Sequence, residues 1–229
     1  MTLKGKTIIE GDIELLTGLH IGGSSATSDI GGIDNCVIKA VPRNGEIEGI
    51  PYIPGSSLKG KLRSLLAKEY SFVNVEQDGE PISTIFGTTN NAARLIVSDA
   101  MLDTERFKET FDQDNMDLKW TESKWENKIN RVKGRGENPR QSERVPAGSV
   151  FHFRMIYDVF DDNTQDQHLK EIIRALRLLE DDYLGGSGTR GYGRVKINNL
   201  AIKFRTIADY YAKKDERKEK DITGEYWKN

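Results

Sequence analysis

The sequence is poor in the residues that build disulfides, metal clusters and membrane spans. It has one cysteine, Cys36, and three histidines among 229 residues, which excludes a disulfide framework and a zinc site built from several cysteines. No apolar run approaches the about 20 residues of a membrane-spanning helix. The first residues, MTLKGKTIIEGD, lack the apolar core of a signal peptide. We therefore expect a cytoplasmic protein that does not associate with membranes.

The charge of the chain is nearly balanced overall but is unevenly distributed. The net charge is −2, yet residues 119–144 contain eight Lys or Arg against four Asp or Glu. Residues 76–118 have the opposite excess, with ten acidic residues against three basic ones. Such segregation is typical of a protein with a basic groove on one side and acidic surfaces elsewhere. A partner with a negatively charged backbone is therefore compatible with this composition.

The hydrophobic pattern predicts four strands and two helices. Alternating apolar residues predict the strands, and leucines or isoleucines at helical spacing predict the helices. Ser56 or Ser57 is the expected N-cap of the first helix, and Thr164 with Gln167 resembles a capping box for the second. The apolar phase slips between Ile197 and Leu200, which suggests a β-bulge. The predicted strands cover 7–16, 94–102, 150–160 and 195–205, and the predicted helices run from about 56 to 66 and from 164 to about 184.

The order of these elements, β-α-β-β-α-β, predicts an α+β protein with a ferredoxin-like (RRM-like) core, a pattern often used by RNA-binding sheets. We expect a single domain over residues 1–229. Three long segments, 17–53, 71–93 and 103–149, do not fit the minimal core and are predicted to be insertions. The basic part of the third, 119–144, is predicted to form a protruding arm. Residues 207–229 form a charged C-terminal tail.

A glycine-rich loop at 185–194 carries the strongest functional signal. Five glycines stand there with Thr189, Arg190, Tyr192 and Arg194. Glycines let the backbone approach a ligand closely, arginines donate to phosphate, and the Tyr192 ring could stack on a base or pack at a sheet edge. We predict that this loop grips a nucleic-acid backbone. Its GxGxxG spacing also matches a dinucleotide-binding pattern, but a helix precedes it and a strand follows, which is the reverse of the required order; a plain glycine-rich turn is the further alternative.

Two other segments point to the same ligand. Residues 17–24 combine glycines with His20, and the predicted helix start at 53–63 combines free backbone amides and hydroxyls with three basic side chains. Helix N-termini and basic side chains both attract phosphate. The residues that we predict to contact RNA are His20, Gly22, Gly23, Ser56, Ser57, Lys59, Lys61, Arg63, Arg131, Lys133, Gly188, Thr189, Arg190, Gly191, Tyr192 and Arg194.

Six motifs together resemble the RAMP superfamily of CRISPR systems, and within it the repeating backbone subunit of the type III-A (Csm) effector complex. The resemblance covers nearly the whole chain. The motifs are TGLHIGGS at 17–24, GGIDN at 31–35, IPGSSLKGKLR at 53–63, IFG at 85–87, ENPRQSER at 137–144 and YLGGSGTRGYGRV at 183–195.

The resemblance implies an RNA-guided endoribonuclease. Copies of such a subunit polymerise along a guide crRNA beside other Csm subunits, and a thumb hairpin interrupts the duplex with complementary target RNA at regular intervals. The family's catalytic aspartate matches Asp34, which supports cleavage with Mg²⁺ or another divalent cation bound when RNA is present. The chain departs from the family pattern at Cys36, where proline is expected, and at Asn130, where the thumb usually has aspartate.

Alternatives to this reading concern the chemistry. Asp34 could instead close an Asx-turn, and the protein could be a crRNA-binding scaffold without nuclease activity. His20 could act as a general base in metal-independent cleavage, because its pKa lies near neutrality, or could only contact the guide. We expect His152 on a sheet face and His168, near a helix start, to face solvent.

Overall fold

An antiparallel sheet with two long helices packed on one face forms the centre of the protein. The computed structural model describes residues 1–23, 35–42, 49–116, 118–212 and 218–227. The strands in this part of the chain are β1 (Leu3–Leu15), β2 (Tyr52–Ile53), β3 (Leu95–Val97), β4 (Ala100–Leu102), β5 (Glu122–Asn130), β6 (Arg135–Arg144), β7 (Val150–Phe160), β8 (Val195–Thr206) and β9 (Lys220–Asp221). The helices are α1 (Gly55–Glu69), α2 (Ile82–Phe86), α3 (Thr104–Thr110), α4 (Gln165–Glu180), α5 (Ile207–Tyr211) and α6 (Thr223–Tyr226).

Strand β1 lies at the centre of the main sheet, between β7 and β8. In the described part of the chain this sheet has seven strands in the order β2-β4-β7-β1-β8-β9, with β3 also paired to β7, and all of these pairings are antiparallel. Alternation directs Thr7, Ile9 and Ile13 of β1 into the core. The chain is therefore a mixed α/β protein built on an antiparallel sheet.

Helices α1 and α4 pack against each other and supply the other half of the core. Leucines at positions 58, 62, 65 and 66 are buried along α1, and Leu169, Ile172, Leu176 and Leu179 are buried along α4. Both sets recur at the three- and four-residue spacing of an amphipathic helix. The apolar periodicity thus predicted both helices and their buried faces correctly.

The opposite face of the sheet is lined by cross-strand ion pairs. Lys6 pairs with Asp158, and Arg154 Nε lies 2.9 Å from Glu10 Oε1. The side chain of His152 is 57% exposed. Its ring nitrogens lie 2.6 Å from an Asp12 oxygen and 3.2 Å from an Asp103 oxygen. This face therefore differs from the aromatic platform on which many RNA-binding sheets stack bases.

The predicted N-cap of the first helix was wrong, and one predicted strand is divided into two. The N-cap of α1 is Pro54, not Ser56 or Ser57, and the first helical amide, Gly55 N, donates instead to Asp99 Oδ1 at 2.7 Å. The strand predicted over 94–102 is split into β3 and β4. The split falls at residues 98–99, where the Asp99 side chain turns back to α1.

The second predicted helix has the predicted N-cap but lacks the predicted capping box and ends earlier than predicted. Thr164 is the N-cap of α4 but forms no capping box, because its hydroxyl hydrogen-bonds with Asp162 at 2.9 Å and Arg94 at 3.1 Å. The helix ends at Glu180 rather than near Leu184. His168 is 3% exposed and contacts the Tyr157 hydroxyl at 2.6 Å, so the expectation that it faces solvent was wrong.

The predicted bulge in the last strand is confirmed. Between the Glu10–Ala201 and Asp12–Asn198 pairs, β8 contains one residue more than β1. Asn199 lies at this point with φ of 52°, a left-handed conformation that asparagine tolerates better than most residues. The side-chain nitrogen Nδ2 of Asn199 donates to Asp12 Oδ2 at 2.7 Å, and this hydrogen bond connects the bulge to β1.

The predicted insertions contain their own short elements. Residues 103–149 include α3 and a separate two-stranded sheet, β5–β6, whose strands extend from Glu122 to Arg144. The exposed turn of this hairpin is residues 131–134. In the tail, β9 pairs with β8, and Trp227 lies over Arg177 of α4, with the ring centroid 5.1 Å from the guanidinium carbon. The described part of the tail therefore packs on the chain's own core.

Candidate functional site

The predicted catalytic and metal-binding residue, Asp34, lies outside the described residues, but the chain that follows it is described and is firmly held. Its principal partner is Glu143, near the end of β6, which is 2% exposed. The Glu143 backbone N–H donates to Asn35 O at 2.9 Å, and Glu143 Oε2 accepts from Val37 N at 2.9 Å. Lys39 Nζ lies 2.7 Å from Glu143 Oε1. The strand ends of the hairpin thus fix the position of residues 35–39.

His20 joins this region to the glycine-rich loop. Its Nδ1 lies 2.7 Å from the Glu143 backbone oxygen. Because a carbonyl only accepts, Nδ1 donates, and a neutral ring then presents Nε2 as an acceptor. The carbonyl oxygen of His20 in turn accepts from Gly186 N at 2.8 Å. A single residue therefore contacts both the hairpin base and the loop at 185–194.

Residues 22 and 23 continue the same edge beyond His20. Gly22 is exposed and bridges to Val37, and Gly23 N donates to Cys36 O at 3.1 Å. The two predicted RNA-contacting glycines therefore lie beside the chain that follows Asp34.

The glycine-rich loop is fixed by backbone geometry that other residues cannot adopt. Gly185 and Gly193 have φ of 75° and 72°. A Cβ at position 185 would clash with the His20 oxygen, and one at position 193 would clash with the Leu184 oxygen. Between them, Gly188–Arg190 forms one turn of 3-10 helix. Thr189, Arg190, Gly191 and Arg194 are exposed, so the loop presents two cationic side chains and open backbone to solvent.

Tyr192 does not face solvent with the rest of the loop. It is 2% exposed, with Lys124 Nζ 4.5 Å and Arg144 Cζ 5.2 Å from its ring centroid. Burial first, and the neighbouring Glu126 second, raise the pKa of Tyr192 to about 12. A ring covered in this way packs the loop against the hairpin. The prediction that it stacks on a base does not hold in this conformation.

The basic residues at the start of α1 already have partners. Lys59 Nζ donates to Leu95 O at 2.8 Å, and Arg63 Nε donates to Asp78 Oδ2 at 2.6 Å. Lys61 Nζ lies 3.2 Å from Asp182 Oδ1 and 3.8 Å from the centroid of the Tyr183 ring. Burial, and secondarily Arg63, lower the pKa of Lys59. On α1, the exposed Ser56 and half-buried Ser57 are therefore more accessible to a ligand than these three cations.

A basic cavity lies between the hairpin and the glycine-rich loop, and the sequence patterns did not predict it. It has a volume of about 440 Å³ and includes Lys124, Glu126, Lys128, Arg140 and Arg190 in its lining. The spacing of Lys124, Glu126 and Lys128 was the available signal, because residues two apart in a strand share a face. Arg131 and Lys133, which were predicted, lie instead on the exposed hairpin turn.

Metal-ligating groups do not cluster in the described part of the chain. No group of three or more His, Cys, Asp or Glu side chains that could hold a metal ion occurs there. Both Glu143 carboxylate oxygens accept hydrogen bonds, Oε1 from Thr121 at 2.6 Å and Oε2 from Val37. Glu143 is therefore poorly placed to serve as a second ligand beside Asp34. No helix in the described residues is long and apolar enough to span a membrane.

A comparison with known protein families identifies the class of protein to which this chain belongs. The model of the RAMP superfamily matches residues 12–196, which include His20, the hairpin and the glycine-rich loop. The chain belongs to the RAMP superfamily, and the resemblance seen in its motifs is confirmed.

Within that superfamily, its relatives are Csm3 proteins. The chain is 38% identical over 239 residues to the CRISPR system Cms endoribonuclease Csm3 of Methanocaldococcus jannaschii, covering 96% of this chain and 90% of the relative. It is 44% identical over 200 residues to the protein of the same name from Enterococcus italicus, covering 84% and 89% of the two chains.

Solved structures that contain Csm3 also match this chain. A crystal structure of the Csm3–Csm4 subcomplex of the type III-A CRISPR-Cas interference complex matches with a TM-score of 0.61 and 31% identity, covering 96% of this chain and 90% of the other. The Csm3 crystal structure from Methanopyrus kandleri also matches with a TM-score of 0.61, at 25% identity, covering 92% and 80%.

Proposed function

We propose that this protein is an RNA-guided endoribonuclease subunit of a type III-A CRISPR effector complex. It polymerises along a guide crRNA and cleaves complementary target RNA at regular intervals. The observation that carries the proposal is 38–44% identity to Csm3 endoribonucleases over most of the chain. The continuous edge formed by His20, the chain after Asp34 and the glycine-rich loop supports it.

The core is of the ferredoxin-like type, and the β5–β6 hairpin is the thumb. The core elements occur in the order β1, α1, β3–β4, β7, α4, β8, and the sheet places β8, β1, β7 and then β3 or β4 side by side. The hairpin forms its own sheet and ends in exposed residues. Both observations support the finer description.

RNA lies along the edge where the loop, the hairpin turn and the start of α1 meet solvent. Arg194 and Arg131 contact phosphates through exposed side chains, and Arg190 and Lys133 do so once they leave their long ion pairs with Glu126 and Glu137. The backbone of Gly188, Thr189 and Gly191 allows close approach. Gly22, Gly23, Ser56 and Ser57 contact the same strand. Lys59, Lys61 and Arg63 contribute only if RNA displaces their present partners.

Cleavage requires little covalent chemistry from the protein. The 2′-OH of RNA can act as the nucleophile, so the protein supplies in-line geometry and charge neutralisation. Asp34 would hold Mg²⁺ or another divalent cation, and that cation would supply the neutralising charge at the phosphate. Glu143 fixes the chain that follows Asp34, and His20 holds the loop that carries the RNA backbone.

Partners follow from the same relatives. We propose that the protein assembles with copies of itself and with other Csm subunits around crRNA. The Csm3–Csm4 subcomplex structure supports contacts between unlike subunits. The sequence prediction of a cytoplasmic location is consistent with such a complex.

The test compares wild type with Asp34→Ala in the complex assembled on guide RNA. We expect wild type to cut a labelled complementary RNA at regular intervals with Mg²⁺, and EDTA to stop the cuts. Asp34→Ala should bind equally well but not cut. Tight binding without cuts in wild type would identify a scaffold. Cuts that survive EDTA but disappear in His20→Ala would assign the chemistry to His20.

A further inference from the structure

The basic cavity between the hairpin and the glycine-rich loop has one carboxylate in its lining. Four of its lining side chains are cationic, and Glu126 is the only acidic one. Glu126 Oε1 lies 3.4 Å from Lys124 Nζ, and Glu126 Oε2 lies 3.5 Å from Arg190 Nη1. The acid thus bridges the hairpin to the loop that we propose binds the RNA backbone.

The Glu126 side chain is enclosed, whereas its partners are not. It is 15% exposed, while the side chains of Lys124 and Arg190 are 35% and 54% exposed. Both ion pairs are long and have one partner near water, so each stabilises the fold only weakly. A phosphate can accept two parallel hydrogen bonds from a guanidinium and would replace Glu126 as the partner of Arg190.

The other two cations of the cavity are available without such an exchange. Within the described residues, neither Lys128 nor Arg140 has an ion-pair partner. Phosphate entering the cavity therefore meets first two cations that have no close ion pair, although Arg140 lies across the ladder from Glu126 and Lys128 from Glu137. Arg190 becomes available only when it leaves Glu126.

We infer that Glu126 is an internal competitor for RNA phosphate, which holds Arg190 and Lys124 while RNA is absent and yields them to the RNA backbone when it binds. The inference rests on the proposed function, because it describes regulation of the same RNA-binding surface. The competitor lowers affinity for any RNA.

The test measures binding of a labelled single-stranded RNA of mixed sequence to the full-length protein. We expect Glu126→Gln to tighten binding by about two- to fivefold, the range of a released exposed ion pair. The slope of log affinity against log salt should stay close to that of wild type, because Arg190 contacts phosphate in both complexes and only the competing carboxylate is removed.

Glu105→Gln is the matched control. It makes the same change in net charge and removes an exposed pair with Lys108 at 2.9 Å, but Glu105 does not line the cavity. The control should change affinity less and leave the salt slope unchanged. Equal gains in the two variants would show a general charge effect and overturn the inference. Weaker binding by Glu126→Gln would also overturn it.

A double-mutant cycle identifies Arg190 as the released residue. In an Arg190→Gln background, Glu126→Gln should lose most of its gain, because only Lys124 remains to be freed. An undiminished gain would contradict the assignment. If Glu126→Gln unfolds, Glu126→Asp shortens the side chain and should give a smaller gain of the same sign. Wild-type protein that binds no RNA would overturn the proposed function itself.

Discussion

At the scale of single residues, sequence patterns selected candidate site residues but did not predict the tertiary contacts around them. The loop at 185–194, His20 and the chain around Asp34 were recognised from their composition and motifs. For Tyr192 the sequence left base stacking and packing at a sheet edge both open, because its ring is covered by Lys124 and Arg144 from a hairpin about fifty to seventy residues earlier. The role of Glu143 was also missed, since its contacts with residues 35–39 depend on tertiary pairing rather than on local sequence.

Tyr192 carries a residue-scale prediction. Its hydroxyl is buried and makes no hydrogen bond of standard geometry among the described residues, although the nearby Glu126 carboxylate contributes to its raised pKa. Replacing this hydroxyl with hydrogen, as in Tyr192→Phe, should therefore change the free energy of unfolding little or raise it. We expect Tyr192→Phe to keep the free energy of unfolding at pH 7 within about 1 kcal/mol of wild type, or to raise it. Chemical denaturation measures this, with the exposed Tyr211→Phe as control.

The same variant should differ from wild type at high pH. The folded-state pKa of Tyr192 is raised to about 12, above the value near 10 of an unfolded tyrosine. The unfolded chain therefore releases this proton first, and wild type loses stability as pH rises from about 10 to 12. Tyr192→Phe should resist that loss. Strong destabilisation of Tyr192→Phe at pH 7 would show that the hydroxyl donates a needed hydrogen bond.

At the scale of helices and strands, periodicity predicted existence and type but not the ends. Strand β7 was predicted with its observed limits, and both long helices were found. Thr164 is the N-cap of α4, but its hydroxyl bonds locally to Asp162 rather than in a capping box. Distant groups also intervened, because Asp99 satisfies the first amide of α1 and Arg94 donates to the Thr164 hydroxyl. Such contacts join elements far apart in the sequence, so no local motif reveals them.

The contact between Arg94 and Asp162 predicts an acid-dependent stability. Arg94 Nη2 lies 2.5 Å from Asp162 Oδ2, joining the start of β3 to the turn between β7 and α4. The hydrogen bond from Arg94 is the main cause that holds the pKa of Asp162 well below its usual range. This stabilisation is fully present above the unfolded pKa near 4 and is lost as pH falls toward the depressed folded value.

We therefore expect Asp162→Asn to lower the free energy of unfolding by about 2 kcal/mol at pH 7. The difference from wild type should shrink as pH falls below about 4. Urea unfolding across pH 2–7 measures both effects. Asp181→Asn, which changes an exposed carboxylate, should have little effect at any pH. A difference that stays constant with pH would show that the carboxylate charge is not what stabilises this turn.

At the scale of the whole molecule, the net charge of −2 conceals a divided surface. Cationic side chains gather at the hairpin, the glycine-rich loop and the cavity between them, whereas charges on the open sheet face pair with one another. The uneven charge along the sequence predicted this division in outline. The cavity could not be predicted, because it forms only where residues 124–140 meet residue 190 in space.

The most direct test of the account is the pattern of cuts made by wild-type complexes assembled on guides of two lengths. The labelled target RNA would be complementary to each guide, and an unrelated RNA would serve as control. We predict evenly spaced cuts in the complementary RNA alone, with more cuts on the longer guide because more copies assemble along it. Cuts whose number ignores guide length, or cuts in the unrelated RNA, would contradict guided cleavage by a repeating subunit.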